Sequence, residues 1–374
     1  MLTLRHTTAT LTNTMRTDEL DYYLPDDRIA THPVEPRDAC KLLVCSRTDS
    51  TLVEHRVFRE LPAILHPSDL LVTNASGVLP ARLEGHRTDS GGAVRGIYIE
   101  ELAPGRWRCL LRTNGVLRHG QQLELRRGEA TPPVLATINE LDGEGWALEL
   151  DTPEPAAAVL ARIGVTPLPP YILARRKALD EQVDDTHDRD WYRTVYAEPS
   201  ATGGSVAAPT AGLHFTPRLL TALRDGGVDA ASITLDVGIG TFAPITADRI
   251  EAHAMHAERC RVPAETIAAL HRARSGGART VAVGTTVVRT LESLPDPPPA
   301  GGWSGDTELF ITPGFAFQRT DALITNFHLP RSTLLAMVGA LFDGGVPRLL
   351  GLYTEAIRQN YRFYSYGDAM LILP

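Results

Sequence analysis

Lysine is almost missing from this chain: of its 37 basic residues only Lys41 and Lys177 are lysine. Arginine suits phosphate recognition, but a GC-rich coding sequence is the plainer account of the bias. Cysteine is scarce too. The four residues at 40, 45, 109 and 260 form neither a CxxC pair nor a dense framework, which argues against a zinc ribbon and against a disulfide-stapled secreted domain. No apolar run approaches membrane-spanning length, and the first fourteen residues, MLTLRHTTATLTNT, lack the continuous apolar segment of a secretory signal. These absences lead us to expect a soluble, cytoplasmic protein with no membrane partner. Residues 1–14 are expected to be a disordered extension, with Met15 opening the fold. No repeat of fixed period occurs, so a solenoid or propeller is not expected. A net charge of -8 excludes a surface that is basic throughout, although a local patch can still hold phosphate.

With 374 residues, 43% of them hydrophobic, the chain can bury a large core and is expected to form two domains. CKLLVCSR and DLLVTN read as short strands enclosing a less regular stretch with a helical turn. From about 78 to 151 the texture changes to closely spaced strands with glycine turns, such as AVRGIYIEEL, RWRCLLRT and QQLELRRG, which suggests a small antiparallel barrel or sandwich. The prolines of TPLPPY oppose helix and central strand, and ALDEQVDDTHDRD after them reads as a solvated loop. Beyond 204 strands and helices alternate: SITLDVG, a helix around 247 to 258, TIAALHRARSGG, TVAVG, TVVRTLESL, LITN and RSTLLAMVGALF. PDPPPAGGWSG, 295 to 305, reads as loop. The expected architecture is an α/β domain, 15–76 and 160–374, interrupted by an inserted antiparallel β-barrel, 77–159.

The polar and glycine-rich residues of the α/β part fall at strand ends, where open α/β sheets bind ligands. TVAVG runs into Thr285 and Thr286 at a helix start, a place suited to a carboxylate. LITN runs into Phe327 and His328, and SITLDVG into Gly240 and Thr241. HAMHAERC, with His253, His256, Glu258 and Cys260, lacks the HExxH spacing and any completing cluster, so no metal site is expected.

Several stretches together carry a resemblance. PTAGLHFT at 209 to 216, VGIGTF at 237 to 242, HAMHAE at 253 to 258, VGTTVVRTLES at 283 to 293, LITNFHLPRSTLL at 323 to 335 and YSYGDAM at 364 to 370 resemble the S-adenosylmethionine:tRNA ribosyltransferase-isomerase family. DYYLPDDRIATHPVEPRDACKLLV and PLPPYI extend the likeness over nearly the whole chain from about residue 16. The resemblance implies an α/β domain interrupted by a β-barrel. It also implies transfer and rearrangement of the ribosyl part of S-adenosylmethionine onto a 7-aminomethyl-7-deazaguanine base in tRNA, giving epoxyqueuosine and releasing adenine and methionine. S-adenosylmethionine is then substrate, with no cofactor beyond it. Such a reaction moves several protons, which histidines and tuned carboxylates can carry. Motif position assigns acid and base work to a subset of His214, His328 and Asp368. It assigns substrate contacts to Thr210, Gly212, Phe215, Gly238, Gly240, Thr241, Thr285, Thr286, Arg289, Asn326 and Tyr366, with Thr285, Thr286 and Arg289 holding a carboxylate and Tyr366 stacking a base.

The chain departs from the family pattern at identifiable places. NASGVLPAR carries Ala75, Ser76 and Gly77 where the family usually has an acid, a threonine and a base. GGAVRG supplies Arg95, YRTVY supplies Arg193, RTNGVLRHG replaces a lysine-rich turn, and Asp236 stands where a histidine is usual. These changes lead to the expectation that the sulfonium pocket is kept and the nucleic-acid surface altered. A relative acting on a small acceptor, and an inactive RNA-binding scaffold, are the competing readings.

Overall fold

Strands form where branched and aliphatic residues run unbroken and end where glycine, proline or asparagine intervenes. The computed structural model shows their assembly and describes residues 15–143, 145–198, 204–238 and 245–374; the extension expected over 1–14 lies outside them. The chain first forms β1 (Lys41–Ser46), β2 (Val53–Val57), the single turn α1 (Leu61–Ile64) and β3 (Leu70–Asn74). Six strands follow: β4 (Arg82–Arg87), β5 (Ala93–Ala103), β6 (Arg106–Thr113), β7 (Gln122–Leu125), β8 (Val134–Asp142) and β9 (Gly145–Leu150). Helices α2 (Ala156–Ile163), α3 (Pro170–Leu179) and α4 (Asp185–Trp191) lead back. Then come α5 (Pro217–Asp225), β10 (Asp229–Leu235), β11 (Glu258–Val262), α6 (Ala264–Ser275), β12 (Thr280–Val283) and α7 (Thr285–Glu292). The chain ends with β13 (Trp303–Thr307), β14 (Ala322–Asn326), α8 (Thr333–Ala340), α9 (Gly345–Arg358) and β15 (Ala369–Leu373).

Strands β4 to β9 close into an antiparallel barrel, and the other nine form one mixed sheet in the order β13-β11-β10-β3-β12-β14-β15-β1-β2. The interrupted α/β architecture is therefore as expected. Alternation along β1 divides the core between the sheet's two faces: Leu43 and Cys45 pack in the cluster with α7, α8 and α9, while Leu42 and Val44 join Phe58, Phe215 and Leu219 of the opposite face. The barrel has its own interior, with Leu83, Val94, Trp107 and Leu123, and Val159, Leu160 and Ile163 of α2 belong to it. Helix α2 thus packs on the barrel, and the chain crosses the seam between barrel and α/β part beside it. At Gly164 a Cβ would stand 1.9 Å from the Pro80 carbonyl oxygen, so only glycine lets the two segments cross.

Local readings fail where tertiary pairing or capping overrides pattern. Pro170 starts α3 because the first helical position needs no donor. The second half of the acidic stretch expected as loop folds as α4, its first turn capped by Asp184 accepting from the Thr186 amide, while 180–184 is loop between α3 and α4. The helix expected around 247 to 258 is a 3-10 turn at Ile250–Ala252 followed by extended chain into β11, which pairs with β10 and β13. The 295 to 305 loop ends in edge strand β13. Among the described residues no single helix is long and apolar enough to cross a membrane; apolar α8 and α9 are separated by a 106° bend, and α8 is buried almost throughout.

Candidate active site

Parallel strands β10, β3, β12 and β14 lie side by side, so their carboxyl ends open at one edge. The segments leaving those ends, with the segment before β15, frame a narrow cleft. Its walls are Ala208 to Ala211, Val237, Gly284 to Thr286 and Thr325 to Leu329, with Leu334, Tyr171, Tyr364 and Ser365. Gly284, at φ +90°, makes the turn from β12 into α7, a conformation that a side chain would disfavour. The first amides of α7 then lack intrahelical acceptors and carry the positive end of the helix dipole.

Asn326 organises one wall. Its Oδ1 accepts from Thr210 Oγ1 at 2.8 Å, and its Nδ2 lies 3.3 Å from the Tyr364 carbonyl and 3.0 Å from His214 Nε2. A carbonyl can only accept, so Nδ2 faces it as donor and His214 Nε2 must accept as well. The His214 proton therefore sits on Nδ1, 3.3 Å from Cys40 Sγ. Burial, with the Arg362 and Arg37 cations adding to it, lowers this imidazole to about 3. His214 is not among the lining residues. Both ring nitrogens face partners within the protein, and the ring braces Asn326 from behind the lining.

His328 does line the cleft. Its amide donates to Tyr353 Oη at 2.9 Å, its carbonyl accepts from Tyr22 Oη, and its Nε2 lies 2.8 Å from Thr325 Oγ1. Among the described residues Nδ1 has no hydrogen-bond partner. Burial lowers the imidazole to about 3, so it stands neutral at physiological pH. Opposite, Tyr364 adopts φ +72°, a strained conformation for an aromatic residue, and its ring packs 4.6 Å from Tyr171.

Of the expected residues, Thr210, Thr285, Thr286, Asn326 and His328 meet in the cleft. The other described ones are placed elsewhere. Asp368 accepts from the Lys41 and Arg362 amides at 2.9 and 2.7 Å, tying β1 to the turn before β15; burial raises its carboxyl while those amides oppose the rise. Arg289 forms a buried ion pair with Glu258 and donates to the Leu309 and Thr307 carbonyls. Glu258 in turn accepts from the Gly238 amide at 3.0 Å. Tyr366 is buried in an apolar cluster against Tyr192, and Phe215 packs edge-on to Phe58 in the core. Gly240 and Thr241 lie outside the described residues.

Gly212 is small for a different reason than ligand access. A Cβ there would meet Tyr196 Oη at 2.0 Å and Thr194 Cγ2 at 2.9 Å. Gly212→Ala is expected to lose about 1–3 kcal/mol of stability by overpacking, and Tyr196→Phe in the same chain to recover most of it. A urea titration of the three variants checks this; equal losses in the single and double variants would place the strain elsewhere.

Sequence reasoning missed Asn74. Its side chain bonds both the amide and the carbonyl of Leu235 and reaches Thr286 Oγ1 at 3.4 Å, joining the ends of β3 and β10 to α7. An asparagine closing an apolar strand was the available signal. Tyr171, Tyr364 and Ser365 were also missed, Tyr171 and Ser365 being joined hydroxyl to hydroxyl. Among the described residues no group of His, Cys, Asp or Glu is arranged to hold a metal ion.

The model of the family described as "Queuosine biosynthesis protein" matches residues 17–372. This chain belongs to that family. It is 46% identical over 364 residues to the S-adenosylmethionine:tRNA ribosyltransferase-isomerase of Moorella thermoacetica, covering 96% of this chain and 100% of the relative. The Thermotoga maritima enzyme of that name is 44% identical over 359 residues, again 96% and 100% of the two chains. A crystal structure of S-adenosylmethionine tRNA ribosyltransferase from Thermotoga maritima superposes with a TM-score of 0.52 and 36% identity, covering 95% of this chain and 100% of that one.

The positions expected to depart from the family pattern fall into two groups. Ala75 and Ser76 are buried, and Ser76 Oγ donates to Asp236 Oδ1 at 2.7 Å, so two of the unusual residues satisfy each other. A Cβ on Gly77 would lie 2.6 Å from the Glu198 carbonyl oxygen. These three are packing choices beside the cleft. Arg95 and Arg193 are exposed and belong to the surface.

Proposed function

We propose that this chain carries the activity for which its relatives are named. It transfers and isomerises the ribosyl moiety of S-adenosylmethionine onto a 7-aminomethyl-7-deazaguanine base in tRNA, with release of adenine and methionine, in the cytoplasm. The observation that carries the reading is the convergence of Thr210, Thr285, Thr286, Asn326 and His328 on one cleft at the strand ends. In this reading the methionine carboxylate rests on the first amides and hydroxyls of α7, where the helix dipole favours an anion. The Asn326 amide, held by Thr210 and His214, presents a fixed edge to the nucleoside.

His328 takes the proton-accepting role. A carbon next to a sulfonium is acidified, and a neutral imidazole accepts its proton provided the Nδ1 lone pair faces the cleft. That tautomer follows when Nε2–H donates to Thr325 Oγ1. Burial keeps the ring in its neutral, proton-accepting form while weakening it as a base, so the drive for the transfer comes from the acidity of the carbon beside the sulfonium. The apolar walls at Ala208, Phe327, Leu329 and Leu334 keep water from the intermediate. No metal enters the scheme.

An RNA acceptor is favoured over a small one by identity across the full length of enzymes named for tRNA. The deciding experiment incubates the protein with S-adenosylmethionine, with and without tRNA carrying the deazaguanine precursor, and follows adenine and methionine. Release is expected only with the RNA. Equal release in its absence would transfer the assignment to a small acceptor, and no release in either case would end it.

A further inference from the structure

The outer wall of the barrel carries a charge arrangement that folding alone does not favour. Inward Leu83, Val94, Trp107 and Leu125 alternate with outward residues along β4, β5, β6 and β7. Register then sets Glu84 opposite Arg95, and Arg95 opposite Arg112. On the other side of β4 the Arg126 amide donates to the Glu84 carbonyl at 3.0 Å, which puts Arg126 in the same transverse row. Arg82, on the same face of β4, is already paired with Glu84. One carboxylate thus stands among four guanidinium groups. Arg95 and Arg112 are both exposed and make no ion pair among the described residues.

Like charges facing each other across a strand pair weaken a sheet, so this row costs the barrel a little stability. It makes sense as a surface for a polyanion. Strands about 4.8 Å apart spread the row over roughly 14 Å, enough to meet successive phosphates. The row also leads to the cleft. Arg82 exchanges backbone hydrogen bonds with Val165, and the chain from Val165 runs through Pro167 to Tyr171 in the cleft wall. Exposed Arg193 borders the hollow at that seam, beside Thr166 and Pro167.

Resting on the proposed function, we infer that the outward face of β4, β5 and β6 is the phosphate-tracking surface for the acceptor tRNA. Its guanidinium row holds the RNA backbone while the target base enters the cleft across the seam. The chain's overall negative charge does not oppose this, since screening confines the interaction to nearby groups.

The test compares wild type, an Arg95→Gln/Arg112→Gln variant and an Arg272→Gln control on α6, all full length. For the double variant KM for precursor tRNA is expected to rise about tenfold near 0.15 M salt. The plot of log kcat/KM against log salt should become less steep by about 0.7–0.9 for each arginine removed. Saturating kcat and S-adenosylmethionine affinity stay unchanged, and Tm does not fall, because a facing like-charge pair has been neutralised. Unchanged KM and salt slope, or an equal effect in the control, would overturn the surface. Fluorescence anisotropy of a labelled tRNA transcript separates this claim from the reading it rests on. Wild type that binds RNA through the row yet releases no adenine would fail the function and keep the surface. Competition by polyglutamate as strong as that by tRNA would overturn RNA as the occupant.

Discussion

Glu258→Ala is expected to destabilise the protein by about 3–5 kcal/mol, the usual consequence of leaving one half of a buried ion pair behind. Both side chains are nearly sealed from water, Arg289 at 2% and Glu258 at 3% exposure. Without the carboxylate the guanidinium keeps only carbonyl acceptors, at Leu309 and Thr307, and the Gly238 amide loses its acceptor. Arg289→Met should cost a similar amount by stranding the carboxylate. The double replacement Glu258→Leu/Arg289→Met should recover much of the loss, because an apolar pair of similar volume avoids desolvating two charges. Urea midpoints of the four proteins test the cycle. A stable Arg289→Met protein unable to bind S-adenosylmethionine would return Arg289 to the ligand and remove it from the pair.

That outcome bears on what a sequence can reveal. The barrel was legible because each of its strands carries a period of two over its own few residues, and the α/β part because helices and strands alternate locally. The cleft's location was legible too, since the strand-end rule needs only the order of elements. The roles of individual residues were not. His214 is fixed by Cys40 and Asn326, Arg289 by Glu258, Asp368 by the Lys41 amide, and each partner comes from a distant segment. A motif says that a residue type is needed but not which atoms it meets. The same holds for the stretch leading into β11, whose alanines and histidines at 252–257 suggest helix until β10 and β13 claim the backbone that follows.

Two histidines, one behind the cleft wall and one in it, separate catalysis from stability. His214 and His328 are each lowered to about 3 by burial, whereas an unfolded histidine titrates near 6.5. The unfolded chain therefore binds more protons below that value, and stability falls as pH drops from about 6.5 toward 3. Each ring contributes a slope of about 1.4 kcal/mol per pH unit in that window, and none above it. His328→Asn should remove one of the two slopes while turnover falls by about 10²–10⁴-fold, the usual effect of losing a general base. His214→Asn should remove the other slope and weaken S-adenosylmethionine binding through Asn326, with a smaller loss in kcat. In wild type the acid limb of kcat/KM should lie well below pH 6.5, since the accepting imidazole is already neutral there. An inflection near 6.5 that disappears in His328→Asn would mean that the ring in the cleft is solvated and titrates normally, and a His328→Asn enzyme of undiminished turnover would take the proton-accepting role away from it.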